Sequence, residues 1–166
     1  MGRVVSLAEA QRVRQSLRAK GQIAVFTNGV FDLLHVGHIR CLNSARELGH
    51  ALFVGLNNDA SAHRLKGADR PWVPEGERAE ALCALRAVDY VVLFSESTAE
   101  HVVAALQPDV YVKGGDYVAG SGKQGKTLPE APVVESYGGR VVIFPYTAGH
   151  STTELIERIR QGGRGI

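Results

Sequence analysis

Five short runs rich in β-branched and aromatic residues punctuate the chain, and they limit its fold more than any other feature. They are Ile23–Thr27, Ala51–Leu56, Tyr90–Phe94, Val110–Lys113 and Val141–Phe144. None alternates apolar with polar residues as a half-wet strand does, so each suits a strand covered on both faces. The intervals carry helical patterns at about 37–48, 76–87, 98–106, 128–136 and 152–161. Strand and helix in alternation, joined by right-handed crossovers, predict an α/β chain: a three-layer, Rossmann-like fold around a five-stranded parallel sheet. Before the first strand, Ser6-Leu7-Ala8-Glu9 has capping-box form. It precedes a stripe of Leu7, Ala10, Val13 or Arg14, and Leu17, with Gly21 just beyond, so residues 1–21 are expected to add an N-terminal helix. The 166 residues then read as a single domain, with no internal repeat or linker and with a frayed tail at 162–166.

Composition removes several function classes. A hydrophobic share of 45% and a charged share of 22% are ordinary for a soluble globule. The formal charge of +2 is too small for a nucleic-acid footprint, and no stripe concentrates the basic residues. No apolar run reaches the ~18 residues a membrane span needs, and the N-terminus lacks the apolar stretch of a secretory signal. Cys41 and Cys83 lie in helical patterns without a CxxC partner, which suits buried thiols in a reducing compartment. A cytoplasmic protein without nucleic-acid or membrane partners is expected.

In sheets of this class ligands bind beyond the carboxyl ends of the strands, where the strand order reverses. The first long strand runs directly into Thr27-Asn28-Gly29-Val30-Phe31-Asp32-Leu33-Leu34-His35-Val36-Gly37-His38, and a helix follows. Gly29 and Gly37 allow backbone to approach a ligand, and the helix start offers unpaired N–H groups suited to phosphate. His35 and His38 stand about one helical turn apart, so both can face one phosphate group. Such donors are what nucleotidyl transfer needs, because its catalysis is mostly positioning and charge stabilisation. Taken alone, the pair is also compatible with two incidental histidines or a partial metal site, although no Cys or acidic ligand at zinc spacing accompanies it.

TNGVFDLLHVGH resembles the (T/N)GxFDxxHxGH signature of the HxGH nucleotidyltransferase superfamily. The chain is similar in particular to the bacterial heptose-1-phosphate adenylyltransferases. The segments that carry this likeness are Asn57-Asn58-Asp59-Ala60-Ser61, Arg64-Leu65-Lys66-Gly67 with Arg70-Pro71, Ala87-Val88-Asp89-Tyr90-Val91-Val92, Val112-Lys113-Gly114-Gly115-Asp116-Tyr117 and Ser151-Thr152-Thr153. The resemblance implies that His35 and His38 contact the triphosphate while Lys66 and Arg78 neutralise phosphate charge. It further implies a nucleotide site formed by Thr27, Asn28, Gly29, Phe31, Lys113, Gly114, Gly115, Ser151, Thr152 and Thr153. Asn57, Asp59, Asp116 and Tyr117 are then expected to face the second substrate.

Several of these residues also have plain structural readings. Arg78 stands at the start of a helix, where an exposed charge is common, but its guanidinium can also fork onto phosphate. The Lys, Gly, Asp and Arg stretch at 64–74 is either a solvated loop or a lid that closes over triphosphate. Ser151 and Glu154 form a capping box for the last helix, whose start can hold a phosphate as well. Gly120-Ser121-Gly122-Lys123-Gln124-Gly125-Lys126-Thr127 matches the P-loop pattern, yet no strand precedes it and Pro129 interrupts soon after, so it is rejected as one.

The expected reaction is AMP transfer from ATP to a sugar 1-phosphate, with Mg²⁺ held mainly by the triphosphate and no protein metal ligand. A glycerol-3-phosphate-type cytidylyltransferase is the nearest alternative. Those enzymes typically carry an Arg in the segment corresponding to Tyr146–Thr153 and an acidic residue where Gly115 stands, and both differences favour the heptose type. A non-catalytic nucleotide sensor is the alternative from another class. The remaining expectations are a homo-oligomer, as a dimer, and a separate sugar kinase, since 166 residues leave no room for a fused one.

Overall fold

The computed structural model describes residues 1–115, 117–118, 126–144 and 152–162. In chain order its elements are β1 (Arg3–Val4), α1 (Leu7–Ala19), β2 (Ala24–Gly29), α2 (Val36–Arg46), β3 (Ala51–Asn57), α3 (Asp59–Lys66), α4 (Glu75–Ala84), β4 (Tyr90–Phe94), α5 (Glu100–Leu106), β5 (Val110–Gly114), β6 (Tyr117–Val118), β7 (Lys126–Thr127), α6 (Glu130–Ser136), β8 (Arg140–Phe144) and α7 (Thr152–Arg160). The main sheet runs β1-β4-β3-β2-β5-β8 with every neighbouring pair parallel.

That sheet has six strands, one more than expected. The extra strand, β1, is two residues long, too short to leave a period in the sequence. Arg3 and Val4 pair with Tyr90 and Val91, and Gly2 N–H donates to Cys83 O at 2.9 Å, which fastens the edge to α4. A short edge strand of this kind also offers little template for pairing with another chain.

From β2 the chain steps to β3 and β4 on one side, and β5 and β8 then fill the other side. The order therefore reverses between β2 and β5. Alternate residues of β2 feed two separate cores. Ala24 and Phe26 pack with Phe53, Val103, Leu106 and Tyr111. Val25 packs with Leu42, Ala45, Leu52, Val54 and Leu82. All seven residues of β3 are buried, which is why its sequence shows no polar alternation.

Ion pairs at the amino ends of the strands join the layers. Arg14 of α1, 6% exposed, meets Asp109 at 2.8 Å, and Asp109 also accepts from Ala24 N at 2.8 Å. Arg46 of α2 meets Asp89 at 2.9 Å, and Asp89 accepts from Leu52 N at 2.8 Å. Asp89, part of the segment that carries the family likeness, thus registers β3 against β4 from outside the crevice. The predicted capping box is present: Ser6 Oγ accepts from Glu9 N at 3.2 Å and Ser6 N donates to Glu9 Oε2 at 2.8 Å.

The sequence reading leaves α3 out. Asn58 caps it by accepting from Ser61 N at 2.9 Å, Asp59 and Lys66 suit its two dipole ends, and Gly67 at φ 99 closes it. Part of the 64–74 stretch is therefore ordered helix. Against the expectation that no strand precedes the Gly/Lys-rich segment, Tyr117–Val118 is a two-residue strand; it pairs with Lys126–Thr127 in a small separate sheet, and Lys126–Thr127 opens no helix, unlike the end of a P-loop. Residues 119–125 and the tail at 163–166 lie outside the described residues. Among the described residues no helix is long and apolar enough to cross a membrane.

Candidate active site

The chain leaves β2 at Gly29 and turns through Val30–Leu34 into α2. The left-handed residue of this turn is Phe31, at φ 48, a conformation that costs a bulky side chain on the order of 1–3 kcal/mol. Gly29 contributes space, because a Cβ there would lie 3.0 Å from the Phe31 ring. The turn sets that ring against His38, with centroids 5.2 Å apart. His35 occupies the N-cap of α2 in extended backbone and His38 lies in the first turn. Their rings stand 3.8 Å apart, tilted by 31°. Two imidazoles thus meet at the positive end of an 11-residue helix, beside its unpaired first-turn N–H groups.

Burial above all, then the neighbouring His35 and Lys66, pushes the His38 pKa down to about 4. The ring is neutral at pH 7, with one N–H to donate and one lone pair. Its buried Nδ1 has no hydrogen-bond partner among the described residues.

Beneath the turn, two buried charged side chains fix the loops. The Asp32 carboxylate, 2% exposed, accepts from Arg70 Nε at 2.6 Å, Trp72 N at 2.9 Å and Val73 N at 3.0 Å. Arg70 also lies over the Trp72 ring, 4.3 Å from its centroid. The Arg78 side chain is fully buried. Its guanidinium donates to Val73 O at 2.8 Å, Val30 O at 2.5 Å, Asn57 O at 2.9 Å and Asp59 Oδ1 at 2.7 Å. A single side chain therefore joins the HxGH turn, the end of β3, the start of α3 and the segment before α4. Asn57, 2% exposed, faces inward and donates to Ser61 Oγ at 3.1 Å and Glu96 O at 3.2 Å.

Across the crevice, Lys113 Nζ donates to Asn28 O at 3.2 Å and to Asn28 Oδ1 at 3.1 Å, and Tyr111 Oη donates to the same Oδ1 at 2.6 Å. Burial pushes the Lys113 pKa below the usual lysine value, opposed by Glu130 and Cys41, with Lys66 adding to the fall. Lys66, at the end of the helix that follows the carboxyl end of β3, adds to the fall in pKa of both His38 and Lys113. Gly114 permits the close approach of β5 to α2, since a Cβ there would meet Cys41 Sγ at 3.1 Å. Gly115, at φ 128, donates its N–H to Phe144 O at 3.0 Å.

The structure therefore brings His35, His38, Lys66, Asn28, Phe31 and Lys113 to one end of the sheet. Thr27 is buried within β2, and Thr152 opens α7. Asp116 and Ser151 lie outside the described residues, as do the side chains of Tyr117 and Thr153. Sequence reasoning assigned no role to Asp32, Arg70, Trp72 or Tyr111. Asp32 stood inside the signature, but a buried carboxylate that ties down a segment about 40 residues away leaves no local pattern. A separate cleft of about 330 Å³ opens beyond β4, between Asn58, Glu75, Ser95, Glu96 and His101.

An imidazole pair at a helix start, facing lysines across the reversal point of a parallel sheet, defines a site for handling phosphate on a nucleotide-binding type of fold. Residues 26–158 match the family model described as cytidylyltransferase-like, and the chain belongs to that family of nucleotidyltransferases. Among curated proteins it is 52% identical over 145 residues to the bifunctional protein HldE of Geotalea uraniireducens, covering 87% of this chain and 28% of that protein. It is 50% identical over 155 residues to the protein of the same name from Syntrophotalea carbinolica, covering 89% and 30%. The chain thus spans less than a third of the length of these relatives. Among solved structures, the lipopolysaccharide core biosynthesis protein of Thermoplasma volcanium matches with a TM-score of 0.60 at 28% identity, covering 76% of this chain and 98% of that one. Pantoate-beta-alanine ligase of Francisella tularensis matches with a TM-score of 0.57 at 13% identity, covering 87% and 67%, a likeness of fold alone.

Proposed function

We propose that this domain transfers AMP from ATP to a sugar 1-phosphate, with heptose 1-phosphate as the acceptor, releasing pyrophosphate and an ADP-sugar. The observation that carries the reading is the His35–His38 pair, 3.8 Å apart at the N-terminus of α2 and within reach of the Lys66 charge. An acceptor phosphate oxygen forms a bond to the α-phosphorus as the bond from that phosphorus to the bridging oxygen breaks, and the electron pair leaves with pyrophosphate. No covalent enzyme intermediate is required. Charge grows on the phosphate oxygens, and His35, His38, Lys66 and the helix N–H groups stabilise it. Arg78, Asn57 and Asp59 act as positioning residues that hold the HxGH turn against β3 and α3.

Mg²⁺ belongs to this reading. The donors gathered at the site are imidazoles and ammonium groups, partners for an anion, which fits an ion carried chiefly by triphosphate oxygens and water. When bound it supplies charge neutralisation on the phosphates. The sugar assignment draws on the heptose-type segments of the sequence, on the high identity to the HldE proteins, and on the relative named for lipopolysaccharide core biosynthesis. A sugar kinase activity then supplies the acceptor, and the working form is a homodimer. The test of the site is His38→Ala, which is expected to lower kcat by about 10²–10³ with an unchanged circular dichroism spectrum. A near-normal rate would remove His38 from the mechanism.

A further inference from the structure

Tyr111, read in the sequence only as part of the strand Val110–Lys113, is a buried residue whose hydroxyl stands at the point where strand order reverses. Phe26 and Tyr111 share one core, on the sheet face away from α2, and their rings stack at 6.0 Å. Asn28 lies two residues beyond Phe26 on β2, and Lys113 two beyond Tyr111 on β5, so all four share that face. Asn28 pairs in register with Gly55, where a Cβ would come 3.1 Å from Asn28 Cβ and 2.6 Å from the Phe26 ring. The space beside Asn28 is thus kept open by a glycine.

The hydrogen bonds settle which way the Asn28 amide is turned. A lysine ammonium has donors only, so the Asn28 atom 3.1 Å from Lys113 Nζ must be the oxygen. Tyr111 Oη donates to the same oxygen at 2.6 Å, and the amide nitrogen is therefore turned away from both. Among the described residues that nitrogen has no hydrogen-bond partner. Even a part-buried polar network is costly compared with apolar packing, and this one leaves two N–H donors turned away from Tyr111 and Lys113 at the carboxyl ends of β2 and β5.

In-line displacement puts the attacking and leaving oxygens on opposite sides of the α-phosphorus. His35, His38 and the start of α2 lie toward one face of the sheet, where they suit the leaving pyrophosphate. Asn28, Tyr111 and Lys113 lie toward the other. We infer that Asn28, which the resemblance assigns to the nucleotide site, instead sets acceptor specificity: its amide, oriented by Tyr111 and Lys113, donates to an oxygen of the incoming phosphorylated acceptor, with Tyr111 as a positioning residue. This rests on the nucleotidyl-transfer reading above.

The test uses the whole chain and four variants: Asn28→Asp, Asn28→Ala, Tyr111→Phe and the Tyr111→Phe/Asn28→Ala double variant. Asn28→Asp keeps the acceptor for Tyr111 and Lys113 but replaces the outward donor with a negative oxygen. It is expected to raise KM for heptose 1-phosphate at least about tenfold and to leave KM for ATP within about twofold. Tyr111→Phe is expected to raise the same KM about three- to tenfold, and to add less than about twofold in the Asn28→Ala background, because the lock then has nothing to orient. An equal rise in KM for ATP, additive effects in the double variant, or unchanged constants in Tyr111→Phe would each overturn the inference. If the unaltered protein does not turn over heptose 1-phosphate, the transfer reading fails, and the Asn28 inference is then tested by calorimetry with inorganic phosphate and with ATP. Asn28→Asp must weaken phosphate binding at least about tenfold and leave ATP binding unchanged; equal phosphate binding overturns the inference on its own.

Discussion

Replacing Arg78 with alanine separates a residue that holds the site together from one that touches phosphate. The guanidinium is fully buried and holds three backbone carbonyls together with the Asp59 carboxylate. Its removal leaves Val30, Asn57 and Val73 carbonyls without that donor, a void where the side chain was, and Asp59 without its cation. Breaking a buried pair from one side typically costs about 3–5 kcal/mol. In a domain of this size each kcal/mol lowers Tm by about 2–4 °C, so Arg78→Ala should melt roughly 6–20 °C below the unaltered protein. Asp59→Ala should cost less than Arg78→Ala, because the guanidinium keeps its three carbonyl partners and the pair is open to solvent on the Asp59 side, where the carboxylate is 39% exposed. Calorimetric melting of both variants at neutral pH, without nucleotide, is the assay. A Tm for Arg78→Ala within about 2 °C of the unaltered protein, together with a large fall in kcat, would refute the positioning role and return Arg78 to direct phosphate contact.

Two further outcomes follow from the electrostatics of the crevice. The folded pKa of His38, about 4, lies below the ordinary 6.5, so as pH falls the unfolded chain takes up a proton first. Stability is therefore lost between about pH 6.5 and 4, by about 3 kcal/mol in all; urea unfolding at pH 7 and 4.5 should show that loss, and His38→Gln should abolish most of it. Lys66 helps depress His38, so Lys66→Ala should move the His38 titration toward its ordinary value while raising KM for ATP about tenfold. Histidine titration by NMR and initial-rate kinetics check both halves, and an unmoved His38 would place Lys66 away from the site.

The long strands were legible because each is buried on both faces and so reads as an unbroken apolar run. β3 shows this most plainly, with all seven residues buried. The edge strand β1 was not, since two paired residues carry no period. α3 was passed over because its eight residues are mostly charged or small; its signal was the Asn58 cap with Asp59 behind it. The His35–His38 pairing was legible from spacing, because consecutive helical turns stack side chains. What spacing does not carry is direction: Arg78 and Asn57 lie in segments that suggest substrate contact, and both point into the protein. Nor does it carry long-range partners, such as Asp32 with Arg70 or Asn28 with Tyr111, because those pairs form only once the sheet and its crossovers are in place.

Pyrophosphate release, followed for ATP and CTP each paired with heptose 1-phosphate and glycerol 3-phosphate in the presence of Mg²⁺, tests the central claim most directly. The account predicts that kcat/KM is highest for ATP with heptose 1-phosphate, that an ADP-sugar accumulates in step with pyrophosphate, and that chelating Mg²⁺ stops both. Preference for CTP with glycerol 3-phosphate, or binding of nucleotide without turnover across all four pairs, would contradict it.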